Sequence, residues 1–347
     1  MANSSSKTRS LRRGQERAVV VLALLTATVL ALGCDRERPV PAPAAADTIV
    51  LTDTLGRSVT LARAASRIVS LSPALTEALF AVGCGDRLVL RDGWSDFPVA
   101  ARAVVSVQGF APSAEAILAV RPDLVLTTFP PAALRSALDA AGVPWLGWSP
   151  VTLDHVAGMM ADIGRACGAP GPGADLAATF RTRLAAIERT VAGRPRPRVF
   201  YEMDAGGGRP FTVSRLAFGH AVLTAAGGEN AFASADVPWF QVSTEAVLAA
   251  DPDLILLADA DAADQPQSAA AVAARPGWSA LRAVREGRVV PLSIDLVSRP
   301  GPRLVDGVAQ IARALHPDAA WPAGPGPTAG AVRGFPQPLV IVPRAAP

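Results

Sequence analysis

Residues 113–126 read SAEAILAVRPDLVL, and residues 243–256 read STEAVLAADPDLIL. The two segments are offset by 130 residues and agree at nine of fourteen positions: Ser, Glu, Ala, Leu, Ala, Pro, Asp, Leu and Leu. Each reads as a short helix, a Pro that stops it, an Asp in the turn, and an apolar strand. A period this long does not belong to a solenoid. It points to two similarly built lobes. Chance convergence in an Ala-rich chain would not place Glu, Pro and Asp at matched positions.

Working outward, short apolar strands are predicted at 87–90, 123–127, 144–148, 198–202, 253–257 and 288–293, with helical patterns between most of them. That alternation predicts an α/β fold with mostly parallel sheets. Residues 48–61 alternate in polarity around Leu55-Gly56-Arg57 and read as a hairpin. Between the two copies, Pro172 and Pro195 bracket a helix whose apolar residues Leu176, Phe180, Leu184, Ile187 and Val191 share one face. At 1.5 Å per residue, about 20 residues span roughly 30 Å, so this helix is predicted to link the lobes stiffly. The resulting expectation is two Rossmann-like lobes: an N-terminal lobe over 48–171, a linking helix over 172–195 and a C-terminal lobe over 196–318. A Pro-, Gly- and Ala-rich tail follows over 319–347.

The first 33 residues are predicted to be an export leader. A basic start containing Arg12, Arg13 and Arg17 precedes an apolar run from Ala18 to Gly33, too short to span a bilayer. Leu30-Ala31-Leu32-Gly33-Cys34 resembles a lipobox, with Cys34 the lipidated residue. Residues 34–47 then form a flexible tether to the membrane. The formal charge of +3 includes this leader, where Lys7, Arg9, Arg12, Arg13 and Arg17 against Glu16 give +4; the remainder is near 3 − 4 = −1. No nucleic-acid partner is expected from such a balance. Cys84 and Cys167 are either a disulfide, which export would permit, or two small buried thiols.

Motifs for catalysis are missing. The three histidines, His155, His220 and His316, stand outside any HExxH, P-loop, GxSxG or CxxC pattern, and Ala205–Gly208 lacks nucleotide-loop spacing. An exported hydrolase would need Ser72, Ser214 or Ser243 beside a base, and no motif supplies one. The chain is therefore read as a binding protein rather than an enzyme, with no cofactor of its own. Aromatics are scarce, so those predicted in loops at strand ends, Trp94, Phe211 and Trp239, are candidate ligand contacts. Asp295 and Arg299 follow the last strand and add polar handles.

RIVSLSPALTEALFAVGCGDRLV (67–89), WSDFP (94–98), AGGENAF (226–232), VPWFQVSTEAVLAADPDLILL (237–257) and RPGPRLVDG (299–307) together resemble the cobalamin and ferric-siderophore binding proteins of ABC importers. The resemblance covers about residues 48–316. It implies the class III periplasmic binding fold, a monomer that binds a metal chelate between its lobes, and an ABC permease dimer as partner. By the same resemblance, Glu115 and Glu245 are the acids that dock onto permease arginines. Trp94, Phe211, Trp239, Asp295 and Arg299 match cleft residues of the cobalamin type. The sequence departs from that type at Val107, Leu296 and Thr128, where the family has Trp, although Phe129 is adjacent to the last. At Ala225 or Ala226 a family disulfide cysteine is absent. Three ligands stay open. A cobalt corrinoid suits the aromatic loops and RPGPR. A ferric siderophore would call on Arg91, Arg209, Arg215 and Arg299. Haem would want a tyrosine ligand, for which Tyr201 is the only tyrosine. A ligand-sensing lipoprotein without a permease is a further class.

Overall fold

The computed structural model describes residues 48–108, 112–205, 209–261 and 267–321. The leader, Cys34 and the tether lie outside the described residues, as does the tail beyond Trp321.

The chain opens with the predicted hairpin, β1 (Ile49–Thr52) paired antiparallel with β2 (Ser58–Leu61). Asp53 closes its turn by accepting from the amides of Leu55 (3.0 Å) and Arg57 (2.9 Å), and Gly56 adopts φ +78°. The first lobe continues through β3 (Ile68–Leu71), α1 (Pro73–Ala81), β4 (Leu88–Asp92), β5 (Ser106–Val107), α2 (Ala114–Ala119), β6 (Leu124–Thr127), α3 (Ala132–Ala140), β7 (Trp145–Gly147) and α4 (Leu153–Ala166). Its sheet runs β5-β4-β3-β6-β7, with every pair parallel. All four residues of β3 and of β6 are buried, because helices cover both faces. The apolar runs quoted above are that burial seen in sequence.

Helix α5 (Pro170–Val191) leads into the second lobe. It begins before the predicted bracket and ends before Pro195. Pro170 and Pro172 both fit in the first turn, whose amides have no helical acceptor. Phe180, Ile187 and Val191 are buried on the predicted face. Where α5 crosses α4, a Cβ placed on Gly173 would lie 2.9 Å from the Gly164 Cα, so the two backbones touch.

The second lobe contains β8 (Arg198–Glu202), β9 (Phe211–Val213), α6 (Phe218–Ala225), β10 (Glu229–Asn230), β11 (Trp239–Gln241), α7 (Thr244–Ala250), β12 (Leu254–Leu257), α8 (Ala269–Ala273), α9 (Arg282–Arg285), β13 (Val289–Pro291), α10 (Ile294–Val297) and α11 (Leu304–Leu315). Its sheet is parallel in the order β10-β8-β12-β13. Phe211 and Trp239, expected in loops, lie instead on β9 and β11, a separate antiparallel ribbon. The tail expected from residue 319 is packed at its start: Trp321 donates to the His316 carbonyl (3.0 Å) and lies under Arg313.

The repeat is structural. Ser113 caps α2 by accepting from the Ala116 amide, and Ser243 caps α7 by accepting from the Ala246 amide, each at 3.2 Å. Arg121 and Asp251, 130 positions apart, both take positive φ (45° and 36°) at the helix exits. Asp123 then accepts from the amide of Arg67 (2.9 Å) and Asp253 from that of Arg198 (2.7 Å), the residues that lead into the adjacent strands. Each Pro-Asp pair thus pins one strand to its neighbour. The copies sit in different sheets, which is why they read as two lobes.

Cys84, after α1, and Cys167, after α4, form a disulfide across 83 residues of the first lobe.

Candidate functional site

In parallel sheets the carboxyl ends of the strands share one edge, and ligands gather there. In this chain the lobes meet along two seams, an aromatic one between the edge beyond β6 and the β9–β11 ribbon, and a charged one.

The aromatic seam joins Phe129, just beyond β6, to Trp239 on β11. Their ring centroids are 5.6 Å apart and the planes are nearly perpendicular, at 86°. Phe129 holds φ at +47°, which a residue with a Cβ rarely adopts. Both rings nevertheless stay open to solvent, Phe129 at 61% and Trp239 at 40%. Trp94 is 45% exposed beyond β4, where its amide donates to Asp92 (2.8 Å). Exposed aromatics of this size are costly to leave in water unless something covers them. Phe211 is half-buried on β9, opposite Gln241.

The charged seam was not foreseen. Glu77 lies on α1, only 3% exposed, and accepts from both ends of the Arg303 guanidinium, one contact at 2.8 Å. Arg303 also stacks on Phe97, 3.9 Å from the ring centre. Arg299 lies within reach of three carboxylates: Asp295 at 2.8 Å, Asp96 at 3.2 Å and Glu77 at 3.8 Å. Gly301, between the two arginines, approaches the backbone of Ala74 so closely that a Cβ there would lie 3.1 Å from the Ala74 Cα. Segment 299–303 is therefore laid directly on α1 of the other lobe. Burial pushes the Glu77 carboxyl above its usual range, and Arg303 and Arg299 offset only part of that rise.

Asp295 and Arg299, predicted as ligand handles, are thus brought together with each other and with Glu77, Asp96 and Arg303. The sequence held one local signal for this: Glu77 is the sole charge in the apolar run Pro73–Ala81. Asp96, Arg299 and Arg303 need the fold to meet.

A second buried acid pair sits at the carboxyl edge of the second sheet. Glu202 ends β8 and binds Arg275 bidentately (2.5 and 2.7 Å). Asp259, just past β12, is 2% exposed; its Oδ2 accepts from the Ala205 amide (3.1 Å), and its Oδ1 has no hydrogen-bond partner among the described residues. Burial, and then the charge of Glu202, push the Asp259 carboxyl up to about 7. In the unfolded chain this group releases its proton near 3.8. Between those values the folded chain binds more protons than the unfolded one. Its stability therefore falls as pH rises toward 7. Asp259→Asn is expected to remove that loss, gaining on the order of 2–4 kcal/mol over wild type at pH 8 and little at pH 4. Urea unfolding at both pH values measures it; equal gains at both would refute the assignment.

Glu115 and Glu245 are exposed in the first turns of α2 and α7, at matched positions. The Glu245 carboxyl is held below its usual range by its own amide, by Ser243 and by Arg209. Neither glutamate belongs to the aromatic or charged seam in the contacts described.

Of the arginines a siderophore would need, Arg91 is turned onto the backbone carbonyls of Ala101, Val104 and Asp92. Arg215 bonds the Ala233 carbonyl and pairs with Asp236. Tyr201 is buried, its hydroxyl donating to the Val297 carbonyl (3.4 Å), so it is not placed to meet a haem. Ser214 and Ser243, raised as possible nucleophiles, serve a turn and a helix cap.

Two surface depressions, of about 160 and 440 Å³, lie away from the seams, against α5 and α6. Both are lined by Glu188, Thr224 and Ala225; neither includes an exposed aromatic.

Residues 68–295 match the family described as periplasmic binding protein. An uncharacterized ABC transporter substrate-binding lipoprotein, YvrC of Bacillus subtilis (strain 168), is 28% identical over 319 residues, covering 88% of this chain and 98% of the relative. The vitamin B12-binding protein of Salmonella choleraesuis (strain SC-B67) is 32% identical over 257 residues, covering 73% of this chain and 91% of the relative. Among solved structures, the apo form of the periplasmic heme-binding protein RhuT from Roseiflexus sp. RS-1 superposes with a TM-score of 0.66 at 27% identity, covering 73% of this chain and 98% of that one. Two lobes with parallel sheets, one long helix between them and a match through most of both lobes lead to one conclusion: the chain belongs to the periplasmic binding protein family, among the substrate-binding proteins of ABC importers.

Proposed function

We propose that this chain captures a corrinoid of the cobalamin type between its lobes and delivers it to an ABC permease. The observation that carries the reading is the set of exposed aromatic faces, Trp94, Phe129 and Trp239, at the facing strand ends. Flat apolar rings suit a large macrocycle, and few polar groups are needed to orient it. Phe211, Asp295 and Arg299 complete the proposed contact set. The arginines support the same choice. A polyanionic chelate needs guanidinium groups turned toward it, whereas Arg91, Arg215 and Arg299 are committed to carbonyls and carboxylates of the chain. The vitamin B12-binding relative agrees with this reading.

In this reading the chain is exported, cleaved before Cys34 and lipid-anchored there, and it acts as a monomer. The lipoprotein relative supports the anchor. Glu115 and Glu245, one on each lobe, are the permease contacts. Their spacing along the repeat gives a pseudo-symmetric partner one acid for each half.

Titration with cyanocobalamin is expected to quench the tryptophan fluorescence saturably, with a smaller change in a Trp94→Ala, Trp239→Ala variant. Saturation by a ferric chelate but not by cyanocobalamin would overturn the corrinoid assignment.

A further inference from the structure

We propose that Asp92 is a positioning residue of the ligand site: its buried carboxylate holds the loop that carries Trp94, and so keeps the indole at the end of β4, where it meets the ligand. The inference rests on the reading that Trp94 is a ligand contact.

Asp92 ends β4 and is fully buried, yet it forms no ion pair among the described residues. A polar group taken out of water costs free energy unless donors are aimed at it. Here Oδ1 accepts from the amides of Trp94 (2.8 Å) and Ser95 (3.1 Å), and Oδ2 accepts from the Ser95 hydroxyl (2.6 Å). All three donors belong to the two residues that follow Gly93. The carboxylate therefore orders this loop rather than the core around it. Behind the loop, Thr76 Oγ1 of α1 lies 2.9 Å from the Ser95 hydroxyl and 2.8 Å from that of Ser70 on β3, and all three residues are fully buried. The Asp92 carbonyl accepts from Arg91 (3.0 Å), so the strand end itself is fixed as well.

Trp94 thus sits between two fixed points. On one side is the Asp92 anchor. On the other, Asp96 pairs with Arg102 (3.5 Å) of its own lobe and with Arg299 (3.2 Å) of the second, and Phe97 lies under Arg303. Ser95 is turned into the first lobe, while Trp94 stays open to solvent. Removing the Asp92 carboxylate would leave two amides without their acceptor and loosen residues 93–95, with 96 and 97 still attached across the lobes. The fold should survive, and the loss should fall on Trp94. Ligand binding would then bear the cost of ordering the ring.

The test reads Trp94 and the ligand separately in the full chain. Asp92→Ala is expected to weaken cyanocobalamin binding, measured by equilibrium dialysis, by about 10-fold. It should also raise acrylamide quenching of the Trp94 share of the fluorescence, taken as the difference from Trp94→Ala. Asp92→Asn keeps the acceptor for both amides, and the Ser95 hydroxyl can turn to donate to Thr76, so both readouts should stay within about twofold of wild type. In the Trp94→Ala background, Asp92→Ala should change affinity by less than about twofold, a result that a general loss of structure would not give. If urea unfolding shows that Asp92→Ala does not fold, Ser95→Ala carries the same comparisons, with an expected loss of about threefold. Wild type that binds no cyanocobalamin, with the change in the Trp94 share present, would sink the corrinoid assignment and leave the positioning role standing. An unchanged Trp94 share, equal losses with and without Trp94, or no rescue by Asp92→Asn would overturn the role.

Discussion

Glu77→Ala is expected to destabilise the chain by about 3–5 kcal/mol, because it strands the Arg303 guanidinium in a buried setting without its bidentate acceptor. The loss exceeds what a surface ion pair could give, since both side chains are largely out of water. Glu77→Gln keeps one acceptor and one shape, and should cost less. The pairing predicts a specific rescue. Replacing both groups by apolar residues, as in Glu77→Leu with Arg303→Met, should recover most of the stability, because the penalty lies in leaving one charge alone. Urea unfolding of wild type, Glu77→Leu, Arg303→Met and the double variant forms a double-mutant cycle. Additive losses would show that Glu77 and Arg303 do not act as a pair. Because the contact joins α1 to segment 299–303 across the lobes, the single variant should also separate the unfolding of the two lobes by fluorescence. Trp145 and Trp148 report on the first lobe and Trp278 on the second.

The second large effect is expected at the membrane. Glu115→Ala combined with Glu245→Ala should abolish uptake while leaving ligand affinity within about twofold, since both side chains are exposed in the first turns of capped helices and neither makes a described contact in the aromatic seam. Each single variant should lose part of the transport, as one of two charge contacts sets register and encounter rate but does not supply the whole interface. Transport assays in cells, beside ligand titration of the purified variant, separate the roles. A fall in ligand affinity equal to the fall in uptake would place these acids in the ligand site instead.

How much of this was readable before the fold was known depended on the range of the interactions. The parallel sheets were legible because β3, β6 and β12 are buried on both sides and so appear as unbroken apolar runs. The two-lobe division followed from a repeat whose Ser, Pro and Asp each have local work: capping a helix, ending it, and pinning the next strand. The linking helix was found, but its start was placed late because prolines at its first turn look like a boundary. The ribbon of β9 and β11 escaped notice; three residues are too few to show alternation. Trp94 and Trp239 were singled out by scarcity and context. The charged seam was out of reach because it joins residues 77, 96, 295, 299 and 303, whose proximity only the closed fold creates. The family resemblance made Arg299 a candidate cleft residue but gave no sign of the carboxylates that pair with it.

The crosslink between Cys84 and Cys167 is confined to one half of the molecule. By the chain-entropy estimate, tying off a loop of that length removes about 4–5 kcal/mol of freedom from the unfolded chain. The half that carries Glu115 thus matures fully only where an oxidant is at hand, whereas the half that carries Glu245 has no such requirement among its described residues. Under reducing conditions one half would lose that bracing while the other kept its own, so the molecule would loosen from one end.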